Sequence, residues 1–212
     1  MTEQELIASL QEKSQSAFKY LVESYQNKVF NTCLGLLQNP EEAEEIAQDV
    51  FIEVYKSIHS FRGDSKLSTW LYRVATTKSL DRIRKLKAKK RFAFLKSIGG
   101  SKEDEEVQPV TFLHPGIQME QKEHAQALFM AINQLPDNQR VAFTLVKVEG
   151  LPYQEVGEVM SMSLSSIESL MFRARKNLQK LLENYYEKTN RINWILILDT
   201  ADVFPFQLIE TK

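Results

Sequence analysis

From Leu67 to Lys90 the chain contains neither glycine nor proline, and its apolar residues Trp70, Leu71, Val74, Ala75, Ile83 and Leu86 include the pairs 70/74, 71/74, 71/75 and 83/86, three or four apart. That spacing puts them on one stripe of a helix. So long a run without a breaker leaves little room for anything but a helical fold. The rest of the chain agrees. Its 212 residues include only 7 Gly and 6 Pro, few for the many turns of an all-β protein. Hydrophobic residues make up 43% and charged residues 26%, the balance of a globular chain with a sizeable core.

Other segments repeat the pattern. Leu6, Leu10, Ala17, Phe18, Leu21, Val22, Tyr25, Val29, Phe30, Cys33, Leu34 and Leu37 predict two amphipathic helices with a break near Lys13–Ser16. Cys33 lies on that stripe and reads as a buried small hydrophobe rather than a reactive thiol. Asn39-Pro40-Glu41-Glu42 predicts a helix start: an amide cap, a proline at the first helical position and acids at the positive end of the dipole. The helix over 40–60 buries Ala43, Ile46, Ala47, Val50, Phe51, Val54, Tyr55 and Ile58. Its opposite face is acidic, with Ile52 among the acids as a hint of a docking surface.

The net charge of −1 conceals a strong asymmetry. Residues 1–61 hold 4 Lys/Arg against 10 Asp/Glu, while residues 62–91 hold 11 against 2. Lys78, Arg82, Arg84, Lys85, Lys87, Lys89, Lys90 and Arg91 crowd the second half of one helix. Cations at a helix C-terminus suit its dipole, but a run this dense points to phosphates. Residues 95–117 then bring Gly99, Gly100, the acidic run Glu103–Glu106, Pro109 and Pro115, which predict a flexible linker. Beyond it a second module is predicted, over 118–187. A helix ends at Leu135-Pro136 and another runs from Asp137. A short helix over Tyr153–Met160, a turn at Ser161-Met162-Ser163 and a long helix from Leu164 to about Tyr186 have the form of a helix-turn-helix.

Two motif sets, in order along the chain, carry a resemblance. In the first module they are Glu44-Glu45-Ile46-Ala47-Gln48-Asp49-Val50-Phe51-Ile52-Glu53-Val54-Tyr55, Phe61-Arg62-Gly63, Ser68-Thr69-Trp70-Leu71-Tyr72-Arg73-Val74-Ala75 and Leu80-Asp81-Arg82-Ile83-Arg84. In the second they are Leu135-Pro136 with Arg140, Glu149-Gly150-Leu151-Pro152-Tyr153-Gln154-Glu155-Val156-Gly157 and Phe172-Arg173-Ala174-Arg175-Lys176-Asn177-Leu178. The chain resembles the sigma-70 family of bacterial RNA polymerase sigma factors, in its extracytoplasmic-function group. The resemblance covers most of residues 15–187. It implies an all-α fold of two helical modules: region 2 over 1–94 and the region 4 helix-turn-helix over 118–187, with the linker 95–117 between them. An apolar tail, 188–212, lies outside it.

The resemblance also implies roles. Glu45, Gln48, Asp49 and Ile52 would dock on core RNA polymerase. Arg62, Lys66, Lys78, Arg82, Arg84 and Lys85 would meet the minus-ten element of promoter DNA, mainly through phosphates. The loop 61–66 would hold a flipped base, while Phe61 and Trp70 read more readily as core than as stacking platforms. The helix from Leu164 would enter the major groove at the minus-thirty-five element. Ser165, Ser166, Glu168 and Ser169 would reach base edges there, and Arg173, Arg175 and Lys176 would hold phosphates or the polymerase. Thr77, Glu168 and Leu170 depart from the residues frequent in the family, which bears on promoter sequence. The acidic linker reads equally as a solvated run or as a mimic of RNA charge.

The inventory excludes an enzyme. His59, His114 and His124 are scattered without metal spacing, and no phosphate loop or nucleophile elbow is present. No cofactor or metal is expected, and no run approaches the roughly 20 apolar residues of a membrane span. The expected location is the cytoplasm, and an anti-sigma factor is a further expected partner. The rival reading is a helix-turn-helix regulator with a helical sensor domain. The tail carries Trp194, Ile195, Leu196, Ile197 and Leu198, apolar enough to pack on a module or a partner.

Overall fold

The structure, a computed structural model, describes residues 2–98 and 122–189. Helices α1 (Glu3–Gln11), α2 (Gln15–Leu37), α3 (Pro40–Ser57) and α4 (Leu67–Ile98) form the first module. Helices α5 (Lys122–Gln134), α6 (Asp137–Phe143), α7 (Tyr153–Met160) and α8 (Leu164–Thr189) form the second. No strand occurs among the described residues. No helix among them is long and apolar enough to cross a membrane. The linker expected over 95–117 lies outside the described residues except for 95–98, and so does the tail beyond Thr189.

Local chemistry sets the helix ends. The Thr2 hydroxyl accepts from the Glu5 amide while the Glu5 carboxylate accepts from the Thr2 amide, a reciprocal cap on α1. Asn39 Oδ1 accepts from the Glu42 amide at 2.8 Å, with Pro40 opening α3. The expected break near Lys13–Ser16 falls between α1 and α2, where Lys13 takes a left-handed φ of 58°. α4 runs to Ile98, past the expected boundary at 94, because no breaker intervenes before Gly99. The helix from Asp137 changes at Thr144 into a π turn over Thr144–Val148, where the Glu149 amide donates to the Thr144 carbonyl five residues back.

In the first module, α2, α3 and α4 pack on one another around Leu21, Val29, Leu34, Val50, Val54, Leu67 and Leu71. Each fully buried side chain of this size stabilises the fold by about 1.5–3 kcal/mol. Cys33 is fully buried among them, as expected, and burial pushes its thiol up to about 12, too high for thiolate chemistry near neutrality. Phe61 is buried against Trp70, ring centroids 5.0 Å apart, so both aromatics belong to the packing of this module.

In the second module, α8 is the spine against which α5, α6 and α7 pack. Arg140 on α6 is almost completely buried. Its guanidinium donates to Asn133 Oδ1 and to the carbonyls of Asn133 and Leu135, satisfying acceptors at the end of α5. Leu170 is buried on the inner side of α8, so its departure from the family's frequent residue serves the core.

The two modules touch. α7 lies against α4, and the π turn lies against α2. At Gly35 the two surfaces come so near that an added Cβ would lie 2.8 Å from Thr144 Cγ2.

Candidate nucleic-acid interface

The turn between α7 and α8 is built by a few residues with definite tasks. Ser161 takes a left-handed φ of 54°, and the Met162 amide donates to the Gly157 carbonyl at 2.9 Å. A Cβ at position 157 would meet the Met162 carbonyl oxygen at 2.9 Å, so glycine permits the tight return. Ser163 caps α8: its hydroxyl accepts from the Ser166 amide and lies 2.8 Å from the Ser166 hydroxyl and 3.1 Å from that of Ser165.

The turn aims one face of α8 outward. Ser165, Glu168, Ser169, Arg173 and Lys176 are exposed on it, whereas Ile167, Leu170, Met171 and Ala174 point inward. Ser166 is half-buried in the cap. Arg175 is also half-buried and donates to the Tyr153 hydroxyl at 3.2 Å, tying α8 to α7. The structure adds two residues that sequence reasoning passed over, Phe172, 67% exposed, and Leu164, 49% exposed. Phe172 sits three and four residues from Glu168, Ser169 and Lys176, in the middle of the outward face. The signal was available: an aromatic out of phase with the apolar stripe of α8.

On the first module the candidate cations are not equally available. Arg82 lies between two acids of α3. It forms a bidentate pair with Glu42 and a further bond to Glu45 at 3.0 Å. The Glu42 partnership raises the guanidinium's pKa further above its ordinary value. Lys78 faces Glu53 at 3.5 Å, Arg84 faces Asp81 at 3.1 Å, and Lys66 reaches Glu155 on α7 at 3.8 Å. Arg62 and Lys85 are exposed with no carboxylate within 4 Å among the described residues. A phosphate backbone approaching α4 must therefore exchange places with Glu42, Glu45 and Glu53 at some positions and finds free charge at others.

On α3, Glu45, Gln48, Asp49 and Ile52 are exposed and spaced by three and four residues, so they form one continuous face. Ile52 is 50% exposed, and Tyr55, expected on the buried stripe, is instead 40% exposed at the edge of this face. An acidic surface with an apolar centre repels DNA and suits a protein partner.

Comparison with known proteins fits this arrangement. The family model for sigma-70 region 2 matches residues 21–89, and that for sigma-70 region 4 matches residues 125–178. The chain belongs to the sigma-70 family. It is 34% identical over 191 residues to the ECF RNA polymerase sigma-E factor of Haemophilus influenzae, covering 86% of this chain and 96% of that one. It is 31% identical over 180 residues to the ECF RNA polymerase sigma factor SigW of Bacillus subtilis, covering 84% and 95%. The RNA polymerase sigma-H factor of Pseudomonas aeruginosa is 30% identical over 193 residues, with 85% and 94% covered. Among solved structures, CnrH in complex with the cytosolic domain of CnrY matches with a TM-score of 0.61 at 19% identity, covering 86% of this chain and 97% of that one. RpoE in complex with the anti-sigma factor NepR, from Bartonella quintana, matches with 0.55 at 23%, covering 78% and 96%. These two likenesses show the fold. The chain is thus a sigma factor of the extracytoplasmic-function group, a factor of transcription initiation and not an enzyme.

Proposed function

We propose that this sigma factor divides its work between three faces and acts in the cytoplasm. The outward face of α8 reads the minus-thirty-five element. Ser165, Glu168 and Ser169 reach base edges, Ser166 holds the cap, and Arg173 and Lys176 hold phosphates. The observation that carries this reading is that Ser165, Glu168, Ser169, Arg173 and Lys176 are exposed together on the second helix of a helix-turn-helix whose other face is buried. Arg175, engaged with Tyr153, positions α8 rather than touching DNA first. Arg62, Lys66, Lys78, Arg82, Arg84 and Lys85 hold the backbone at the minus-ten element, and Glu45, Gln48, Asp49 and Ile52 dock on core polymerase. On this reading core and minus-ten binding lies over 1–94 and minus-thirty-five binding over 118–187. An anti-sigma factor is a further partner, since the relatives CnrH and RpoE were solved with proteins bound to them, the second named as an anti-sigma factor.

The test is transcription in vitro with core polymerase and a promoter library randomised upstream. A carboxylate accepts hydrogen bonds and an ammonium donates them, so Glu168→Lys should change the selected base at one position, by about 1–3 kcal/mol of discrimination. Arg173→Ala should weaken all promoters about equally. Selection of the same sequence by wild type and Glu168→Lys would remove Glu168 from the reading face. Binding to DNA fragments with no dependence on core polymerase would favour a free-standing regulator.

A further inference from the structure

The contact between the modules is specific. Gln38, which ends α2 with a left-handed φ of 55°, buries its side chain and donates Nε2 to the Phe129 carbonyl of α5 at 2.8 Å. Arg73 of α4 donates Nε to the Val159 carbonyl at 3.2 Å and Nη2 to the Glu158 carbonyl, two acceptors at the end of α7. Lys66 and Lys87 face Glu155 and Asp137 across the same boundary. Into this seam the second module sends one carboxyl group. Glu149 follows the π turn, and its Oε1 is completely enclosed without a hydrogen-bond partner. The groups facing it belong to the first module. They are Lys28, Thr32 and Cys33 of α2, and Tyr72 of α4. Tyr25 of α2 and Glu155 of α7 act on Tyr72 beside it.

In this closed arrangement the chain cannot do what a promoter asks of it. Elements named minus ten and minus thirty-five are ~25 base pairs apart, or about 85 Å of duplex. A compact body of the size of the two modules together is roughly 40 Å across. Reading both elements at once requires the modules to part.

We propose that Glu149 is a latch between the packed modules, held in the seam as the neutral acid and released on losing its proton. The proposal rests on the assignment of the two modules to separate promoter elements. Burial pushes the Glu149 carboxyl up to about 8, against the downward pull of the Thr32 hydroxyl, the Lys28 ammonium and the Tyr72 hydroxyl. Once the modules part, the carboxyl returns to water and to the ordinary carboxylic range. Closure is therefore strongest below that range, where both states hold the proton. It weakens as pH rises towards about 8, because over that interval only the closed state binds the proton. Above about 8 it weakens no further. One proton released per opening raises the open-to-closed ratio about tenfold per pH unit within the window. Tyr72 and Cys33, both raised by burial, titrate above it.

The experiment is energy transfer in the full chain, labelled at Lys19→Cys in α2 and Lys180→Cys in α8, both at exposed positions. Cys33 faces the seam and would be uncovered on opening, so the labelled chain also carries Cys33→Ser. Transfer should fall as pH rises from 5 to 8 and level off above. Glu149→Gln keeps the shape of the neutral acid and should hold transfer high across the range. Gly35→Leu presses against Thr144 and should give low transfer at every pH, showing that the readout reports parting. The latch is overturned if wild type and Glu149→Gln titrate alike, or if wild-type transfer does not change with pH, whatever Gly35→Leu does. The measurement contains no DNA. Failure of the minus-thirty-five reading would appear instead as promoter selection unaffected by Glu168→Lys, with the pH response intact.

Discussion

Gly157 and Arg140 show how single residues set the geometry that the DNA-facing helix depends on. A side chain at 157 must displace the Met162 carbonyl, which belongs to the turn itself and has little room to yield. Gly157→Val should therefore destabilise the second module by about 1–3 kcal/mol and weaken minus-thirty-five recognition with it. A thermal melt of the full chain checks the first effect, and promoter binding by holoenzyme the second. Arg140 is charged and buried, a combination that burial alone disfavours and that drives its pKa down. It persists because Asn133 and Leu135 supply three acceptors and Asp137 lies 3.7 Å away. In the sequence it appears as a cation four residues after Pro136, and nothing in its spacing marks it as core. Glu149 is the same lesson at the seam: it sits in a loop motif beside Gly150, where an acid is ordinarily solvated. Its burial comes from α2 and α4, more than seventy residues away in the chain, and local pattern cannot register that.

Helices were the most legible level. Apolar period, the Asn39-Pro40 start and the Ser163 turn each act within a few residues, so the ends of α1, α2, α3, α7 and the start of α8 follow from local chemistry. What was not legible was which cations of α4 are occupied. Arg82 and Lys78 look identical to Lys85 in a charge count, yet the first two face acids that α3 brings alongside. That difference predicts distinct outcomes. Lys85→Ala should lower the salt slope of holoenzyme–promoter binding by about one and leave the melting temperature unchanged. Arg82→Ala should lower the melting temperature as well, because Glu42 and Glu45 lose their shared partner. An equal effect of the two substitutions on stability would show that the pairing with α3 contributes nothing. α3 carries its own prediction. Asp49→Lys combined with Ile52→Glu reverses the charge and removes the apolar centre of its exposed face. Co-purification with core polymerase should fall, while helix content by circular dichroism stays the same.

At the scale of the whole molecule, the sequence divides into two modules at a segment rich in breakers, which leads one to expect two independent bodies. The structure joins them through α2 against the π turn and α4 against α7. Small and polar residues make that contact: Gly35 against Thr144, Gln38 to Phe129 and Arg73 to the end of α7. None stands out from an ordinary helical sequence. Packing of this kind makes a thermodynamic demand. If the seam stabilises both modules, neither unfolds without loss to the other, and heating the full chain should give one cooperative transition. Arg73→Ala leaves the Glu158 and Val159 carbonyls without their charged donor, and Gly35→Leu forces the surfaces apart. Neither residue supports the core of its own module, so each module should remain folded. Calorimetry of either variant should then resolve two smaller transitions, and the combined variant should separate them further. The ion pairs Lys66–Glu155 and Lys87–Asp137 are exposed on at least one side and are screened by salt. Raising ionic strength should thus move wild type part of the way towards the two-transition behaviour. A single transition that persists in the double variant at high salt would mean that the modules are coupled by something other than this seam.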